Sequence, residues 1–280
     1  MSALPLPPSN APSGARWTLK GVLKVSLIAA AALPLAPLQA LLIRFRPALG
    51  GWAPIIYHRL VCRVLGVRVR VHGSPPVKGA SALIAANHVS WLDIPVIGAQ
   101  APVSFVAKSE IAGWPGVSFL ARLQRTIFID RNRRAATGEV AGLMGERIGR
   151  GESLVLFAEG TTGDGSRILP FRSSLFGAVK EALGEADGGE VLVQPLTILY
   201  TGRHGLPGGR HERALLAWYG DVDLGPHLRE VLNGGPVDVT LVWGEPISMG
   251  RAHSRKEAAR LAEADVRRRA AAHLTGRPRD

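Results

Sequence analysis

Leu83-Ile84-Ala85-Ala86-Asn87-His88-Val89-Ser90-Trp91-Leu92-Asp93-Ile94-Pro95 is the stretch on which the fold turns. The run Ala82–Ala86 is uncharged and short, the pattern of a buried strand. Pro95 fits a helix only in the first turn, where its missing N–H would have no partner. The helix therefore begins near Asp93, and Asn87–Leu92 form a strand-to-helix loop. Working outward, further strands are predicted at Val67–Val71, which alternates strictly with Arg68 and Arg70, and at Phe105–Ala107, Thr126–Ile129, Leu154–Phe157, Val191–Tyr200 and Val237–Trp243. Helical stretches lie between them, at Ile94–Gly98, Pro115–Leu123, Ala135–Gly149, Ser173–Leu183 and Leu224–Leu232. This alternation predicts an α/β fold with a single open mixed sheet flanked by helices. Ligands in such sheets sit beyond the carboxyl ends of the strands, so the residues just after each strand are the ones to inspect.

The charge is unevenly placed. The chain has 34 Lys and Arg against 22 Asp and Glu, a net of +12, yet no acidic residue precedes Asp93. The basic excess belongs to the first third, which is also the most apolar. Val25–Ile43 is free of charge over 19 residues, about the length that spans a hydrocarbon core. Pro34 and Pro37 interrupt it, so a broken helix or a shallow hairpin in one leaflet is as compatible with it as a clean span. Ile55–Leu65 sets Leu60, Val61, Val64 and Leu65 against Arg59 and Arg63, a basic amphipathic helix. Its cations alternate with aliphatic residues instead of exposed aromatics, which suits a bilayer with anionic headgroups and argues against nucleic acid. The single cysteine, Cys62, excludes an intrachain disulfide and a cysteine-rich metal site. The expected organisation is a disordered N-terminus at 1–15, a membrane anchor with amphipathic helices at 16–66, the α/β domain at 67–250, and a solvated or membrane-facing basic helix at 251–280.

His88 and Asp93 are the chemical centre of this reading. Asp93 can turn back across the loop toward the imidazole. A carboxylate on one ring nitrogen fixes the tautomer and leaves the other nitrogen free to take a proton. No serine or cysteine stands ready as nucleophile, so the attacking group would be a hydroxyl of the substrate. Asp93 could equally cap the helix, alone or in a capping box with Ser90.

Companion segments follow the other strands: Lys108-Ser109-Glu110, Ile129-Asp130-Arg131, Phe157-Ala158-Glu159-Gly160-Thr161-Thr162-Gly163-Asp164-Gly165 and Val193-Gln194-Pro195-Leu196. With these four ordered blocks, residues 50–250 resemble the lysophospholipid acyltransferase family, which includes bacterial 1-acyl-glycerol-3-phosphate acyltransferases. The resemblance implies transfer of a fatty acyl chain from acyl-CoA or acyl-carrier protein to the free hydroxyl of a lyso-lipid. It implies a monotopic membrane enzyme without metal or prosthetic group, its site on the cytoplasmic side of a bacterial inner membrane. His88 would deprotonate the acceptor and Asp93 would orient His88. Arg131 and the Glu159-Gly160-Thr161 loop would bind the acceptor. Lys108 is a candidate donor to the oxyanion by position.

The third block departs from the family. An arginine usually follows the Gly-Thr pair and a proline precedes the glutamate; here these are Thr162 and Ala158. Loss of the arginine removes a phosphate ligand. Either Arg167, Arg172 or the Arg133–Arg134 pair supplies the charge, or the headgroup is not a terminal phosphate. Family members with Gly-Thr-Thr include lyso-ornithine lipid enzymes. Lysophosphatidic acid is the first expectation, because Arg131, Arg133 and Arg134 remain. A silent membrane-binding scaffold is the non-enzymatic alternative; it has no use for His88 and Asp93 together.

Overall fold

The computed structural model describes residues 16–46, 50–76, 81–129, 134–176, 191–250 and 252–275. The segment 1–15 and the residues Asp130–Arg133 lie outside them. Among the described residues, nine strands form one sheet: β1 (Val67–His72), β2 (Leu83–Ala86), β3 (Val103–Lys108), β4 (Ile127–Ile129), β5 (Ser153–Phe157), β6 (Val191–Arg203), β7 (Leu206–Pro207), β8 (Val237–Trp243) and β9 (Ile247–Met249). The main order is β1-β8-β6-β2-β5-β3-β4, with β7 and β9 on β6. The run from β6 through β4 is parallel, β8 is antiparallel to β6, and β1 is parallel to β8. The sheet is therefore open and mixed, as the alternation predicted. β2, β3, β4 and β5 all end at the same edge.

Alternate residues face opposite sides, as strand pleating requires. Ile84, Ala86, Val155, Phe157, Ile198 and Tyr200 join one core, covered by α2 (Trp52–Leu65), α3 (Asp93–Gly98), α6 (Arg210–Leu216) and α7 (Leu224–Asn233). Leu83, Ala85, Leu154, Leu156 and Val193 join the other, covered by α5 (Arg134–Gly149) and α8 (Arg255–Thr275). A short 3-10 turn, Ser109–Gly113, and α4 (Val117–Leu123) link β3 to β4. Strands and helices fall within a few residues of the sequence expectation. The residues described at the start of Ser173–Leu183 are helical and the rest lie outside the described set. α6, β7 and β9 had no counterpart in the expected series.

Two expectations about the flanks need correction, and one choice left open by the sequence is narrowed. The apolar face of α2 is not spent on a bilayer: Val61, Cys62 and Leu65 are buried in the core, which holds the Cys62 thiol up at about 12 by burial. The C-terminal helix is not simply solvated. Ala258, Ala259, Ala262, Val266 and Ala270 give α8 a flat small-residue stripe that packs on the sheet, while Arg255, Lys256, Arg260 and Arg267 point outward. The prolines do not break the N-terminal segment either. α1 (Leu19–Phe45) runs through Pro34 and Pro37, both on its exposed side.

α1 is inverted relative to an ordinary surface helix. Its buried residues are Gly21, Lys24 and Gln39, while Leu19, Leu23, Leu27, Leu33, Leu38 and Leu41 are exposed. Lys24 Nζ donates to the carbonyls of Gly234 at 3.2 Å and Leu65 at 3.5 Å, the C-terminal ends of α7 and α2. A cation at two carbonyl-rich helix ends is favourably placed. Gln39 Nε2 donates to Gly50 and to Leu123, the last residue of α4. Thr18 and Asn233 tie the start of α1 to α7. A side chain on Gly21 would run into Asn233, so glycine permits this close approach.

Candidate active site

β2 delivers the site residues to the sheet edge. Asn87 extends its ladder with a side chain: its amide donates to the Ile198 carbonyl at 3.0 Å and its oxygen accepts from the Ile198 N–H at 2.8 Å. This carboxamide fixes the chain just before His88. The loop then turns sharply, and Asp93 opens α3 with its carboxylate pointing backward.

His88 Nδ1 lies 2.8 Å from Asp93 Oδ2. The same oxygen accepts the N–H groups of Val89 at 2.7 Å and Ser90 at 3.1 Å. Oδ1 accepts the Tyr200 hydroxyl at 2.7 Å. Four donors converge on one fully buried carboxylate, an arrangement that suits the anion. Asp93 thus orients the ring and also holds the loop amides, but it is the first residue of α3 and not its N-cap. No Ser90–Asp93 capping box forms; the residue before α3, Leu92, makes no side-chain cap. With Nδ1 donating to Asp93, Nε2 is the basic nitrogen, and among the described residues it has no hydrogen-bond partner. The imidazole stacks on Phe157 with ring centres 3.7 Å apart and planes 13° from parallel. It remains partly open, its side chain 18% exposed. The arrangement can therefore accept a proton on Nε2, with the buried carboxylate stabilising the imidazolium that forms.

Glu159 lies beneath this loop. Its Oε2 accepts the His88 N–H at 2.9 Å and its Oε1 accepts the Leu169 N–H at 2.7 Å. Glu159 is buried, and burial pushes its carboxyl up to about 7 while the two amides oppose the rise. Gly160, at φ 74°, reverses the chain in the left-handed region that glycine favours. Gly163 N–H donates to the His88 carbonyl at 2.8 Å. Thr161 is exposed and Thr162 half-buried beside it. Asp164 Oδ1 accepts the Ser166 N–H at 2.9 Å, closing a tight turn, and Arg167 leans toward Asp164 at 3.9 Å.

The structure thus brings together His88, Asp93, Glu159, Gly160 and Thr161. Glu159 reaches inward to the backbone, not outward to a ligand. Lys108 ends β3 on the same sheet edge, exposed, and among the described residues it has no hydrogen bond to the dyad. Arg131 and Arg133 lie outside the described residues. No three His, Cys, Asp or Glu converge as a metal-binding group among the described residues. Sequence reasoning missed Tyr200 and the role of Asn87. Tyr200 stands 107 residues from Asp93, and a buried tyrosine at the end of a strand gives no local signal.

Residues 68–199 match the acyltransferase family model. The chain is 43% identical over 253 residues to the lyso-ornithine lipid O-acyltransferase of Rhizobium meliloti, covering 90% of this chain and 86% of that protein. The chain is a member of the lysophospholipid acyltransferase family. This acyltransferase is also 36% identical over 124 residues to the 1-acyl-sn-glycerol-3-phosphate acyltransferase of Neisseria meningitidis, covering 44% of this chain and 49% of that one. Its fold matches the crystal structure of the 1-acyl-sn-glycerophosphate acyltransferase of Thermotoga maritima with a TM-score of 0.65 at 22% identity, over 93% and 97% of the two chains. The fold expectation and the family resemblance both hold.

Proposed function

We propose that this acyltransferase moves a fatty acyl chain from a thioester donor, acyl-CoA or acyl-carrier protein, to the hydroxyl of a lyso-lipid, with lyso-ornithine lipid as the acceptor. His88 Nε2 removes the hydroxyl proton as the oxygen attacks the thioester carbonyl. Asp93 stabilises the imidazolium, which then returns the proton to the leaving thiolate. Positioned general-base catalysis of this kind is worth about 10²–10⁴-fold. Exposed Thr161, between Glu159 and Gly163 that bond the His88 backbone, faces the acceptor. Lys108, at the same sheet edge, is a candidate for the oxyanion, and Arg131, two residues after Ile129 in the sequence, for the headgroup.

The choice of headgroup rests on Thr162. The position after Gly160-Thr161 carries no guanidinium, and the nearest loop arginine, Arg167, is turned to Asp164. A terminal phosphate would want a charged fork here. An amino-acid headgroup brings its own cation and carboxylate, and Asp164 adds an acidic group to the loop. The relative from Rhizobium supports the same acceptor. Lysophosphatidic acid is the second reading, favoured by the relative from Neisseria and by Arg131, Arg133 and Arg134.

The membrane is engaged by α1 lying along one leaflet. Lys24 and Gln39 hold it to the same domain at points about 22 Å apart along the helix. A helix fixed in this way presents its side to the bilayer, not its length across it. Leu23, Leu27, Leu33, Leu38, Leu41 and Phe45 would enter the acyl region while Arg16, Lys20, Arg44 and Arg46 meet anionic headgroups. Such a surface faces the cytoplasm, where the thioester donors are made. The deciding experiment compares turnover on lyso-ornithine lipid, lysophosphatidic acid, lysophosphatidylcholine and lysophosphatidylethanolamine. Highest kcat/KM is expected with lyso-ornithine lipid; a preference for lysophosphatidic acid would overturn the headgroup assignment.

A further inference from the structure

We infer that Tyr200 is a positioning residue of the reaction, acting through Asp93 to set the basicity of His88. The inference rests on the dyad reading above and adds a third member to it. Tyr200 lies on β6 in the core that α2 and α3 cover, and its side chain is 1% exposed. Its hydroxyl is 2.7 Å from Asp93 Oδ1, the one carboxylate oxygen that neither the imidazole nor the loop amides reach.

The division of labour between the two oxygens is what makes Tyr200 informative. Oδ2 is fully committed to the ring and the loop. Without Tyr200, Oδ1 would be a charged acceptor sealed from water with no donor, which is costly. With it, the carboxylate plane cannot rotate about the Cβ–Cγ bond without losing a charge-assisted bond. That plane directs Oδ2 at Nδ1. The hydroxyl also withdraws charge from the carboxylate and so tempers how strongly the carboxylate favours the imidazolium over neutral imidazole. Burial, and then the neighbouring Asp93 charge, hold the Tyr200 hydroxyl well above its usual value, so it stays a donor across the working range; Ser90 opposes this weakly. The other titratable groups facing the pair are His88 on the loop, Glu159 after β5 and Cys62 on α2.

The sign of the effect follows. Removing the hydroxyl concentrates negative charge on Asp93, stabilises the His88 imidazolium, and raises the pH below which the base is lost. Tyr200→Phe keeps the ring and its packing. Its kcat should fall about tenfold, the scale of one hydrogen bond to a charged group, with KM for the acceptor unchanged. The acid limb of its kcat/KM profile should move up by roughly half a pH unit or more. Replacing tyrosine by 3-fluorotyrosine strengthens the donor without removing it, and in a Tyr57→Phe, Tyr219→Phe background only position 200 carries the label. There the acid limb should move down. Opposite shifts in these two proteins cannot come from packing alone. An acid limb that stays in place in both, whether or not thermal stability changes, would reduce Tyr200 to a core residue and overturn the inference. His88→Ala run alongside keeps the failures apart: if it remains active, the dyad itself falls, whereas an inactive His88→Ala with unmoved limbs rejects Tyr200 alone.

Discussion

The backbone N–H of His88 donates to Oε2 of Glu159, 71 residues further along the chain, at 2.9 Å. The His88 loop is therefore held from two sides: Asp93 grips the ring and the next two amides, and Glu159 grips the amide of His88 itself. Because the second oxygen of Glu159 holds Leu169, this one carboxylate also ties the Thr161–Arg172 segment to His88.

Glu159→Gln should damage this junction although the shapes match. Both partners of the carboxylate are N–H donors, and a carboxamide has only one oxygen to offer them. One buried amide would face an NH₂ group and lose its acceptor, at a cost of about 1–3 kcal/mol. The expected result is a lower melting temperature and a kcat reduced about tenfold or more, read by calorimetry and initial rates. A Glu159→Gln protein with native stability and rate would show that the carboxylate does not organise the loop.

Lys24→Met should loosen the docking of α1. Methionine keeps the apolar stem but leaves the carbonyls of Leu65 and Gly234 without their shared donor. A loss of about 1–3 kcal/mol is expected, with faster amide exchange across the first turns of α1. Unchanged exchange there would mean that the docking of α1 depends on other contacts.

The stability of the protein should carry a histidine signature from His58. This ring is buried between Gly98 and the Gln124 side chain, whose Oε1 is 3.0 Å from Nε2. Burial pushes it down to about 4, with the Gln124 bond opposing weakly. The unfolded chain therefore binds the proton first, near pH 6.5. The contribution of neutral His58 is present above that value and is lost as pH falls toward 4, up to about 3 kcal/mol. Glu159 works the other way: its raised value makes the folded state lose stability as pH rises from the ordinary carboxyl range toward 7. The two slopes oppose each other between them, so the wild-type curve alone would hide both. The measurement is the difference between wild type and His58→Gln in denaturant titrations. That difference should shrink as pH drops from 6.5 to 4; a constant difference would contradict the buried neutral ring.

Much of this was legible in the chain. The apolar runs gave the strands because burial on both faces leaves little freedom of residue type, and Pro95 located the start of α3. The His88–Asp93 spacing and the Gly160 turn pointed to one edge of the sheet, where the structure brings these residues together. What stayed hidden depends on contacts distant in sequence. α2 and α8 look like amphipathic surface helices until the sheet faces that absorb Val61, Leu65, Ala262 and Val266 are known. α1 could not be recognised as a docked helix because its docking residues, Lys24 and Gln39, are the polar ones. Glu159 read as an acceptor ligand because nothing local shows that its oxygens turn inward, and Tyr200 reaches Asp93 only through the pairing of β2 with β6.

The central claim is that His88 is the base, and its most direct test is turnover by His88→Ala with lyso-ornithine lipid and an acyl donor, measured beside binding to anionic vesicles. The account predicts that acyl transfer falls by at least about a hundredfold while vesicle binding stays at the wild-type value. A His88→Ala protein that transfers acyl chains at a comparable rate would contradict it.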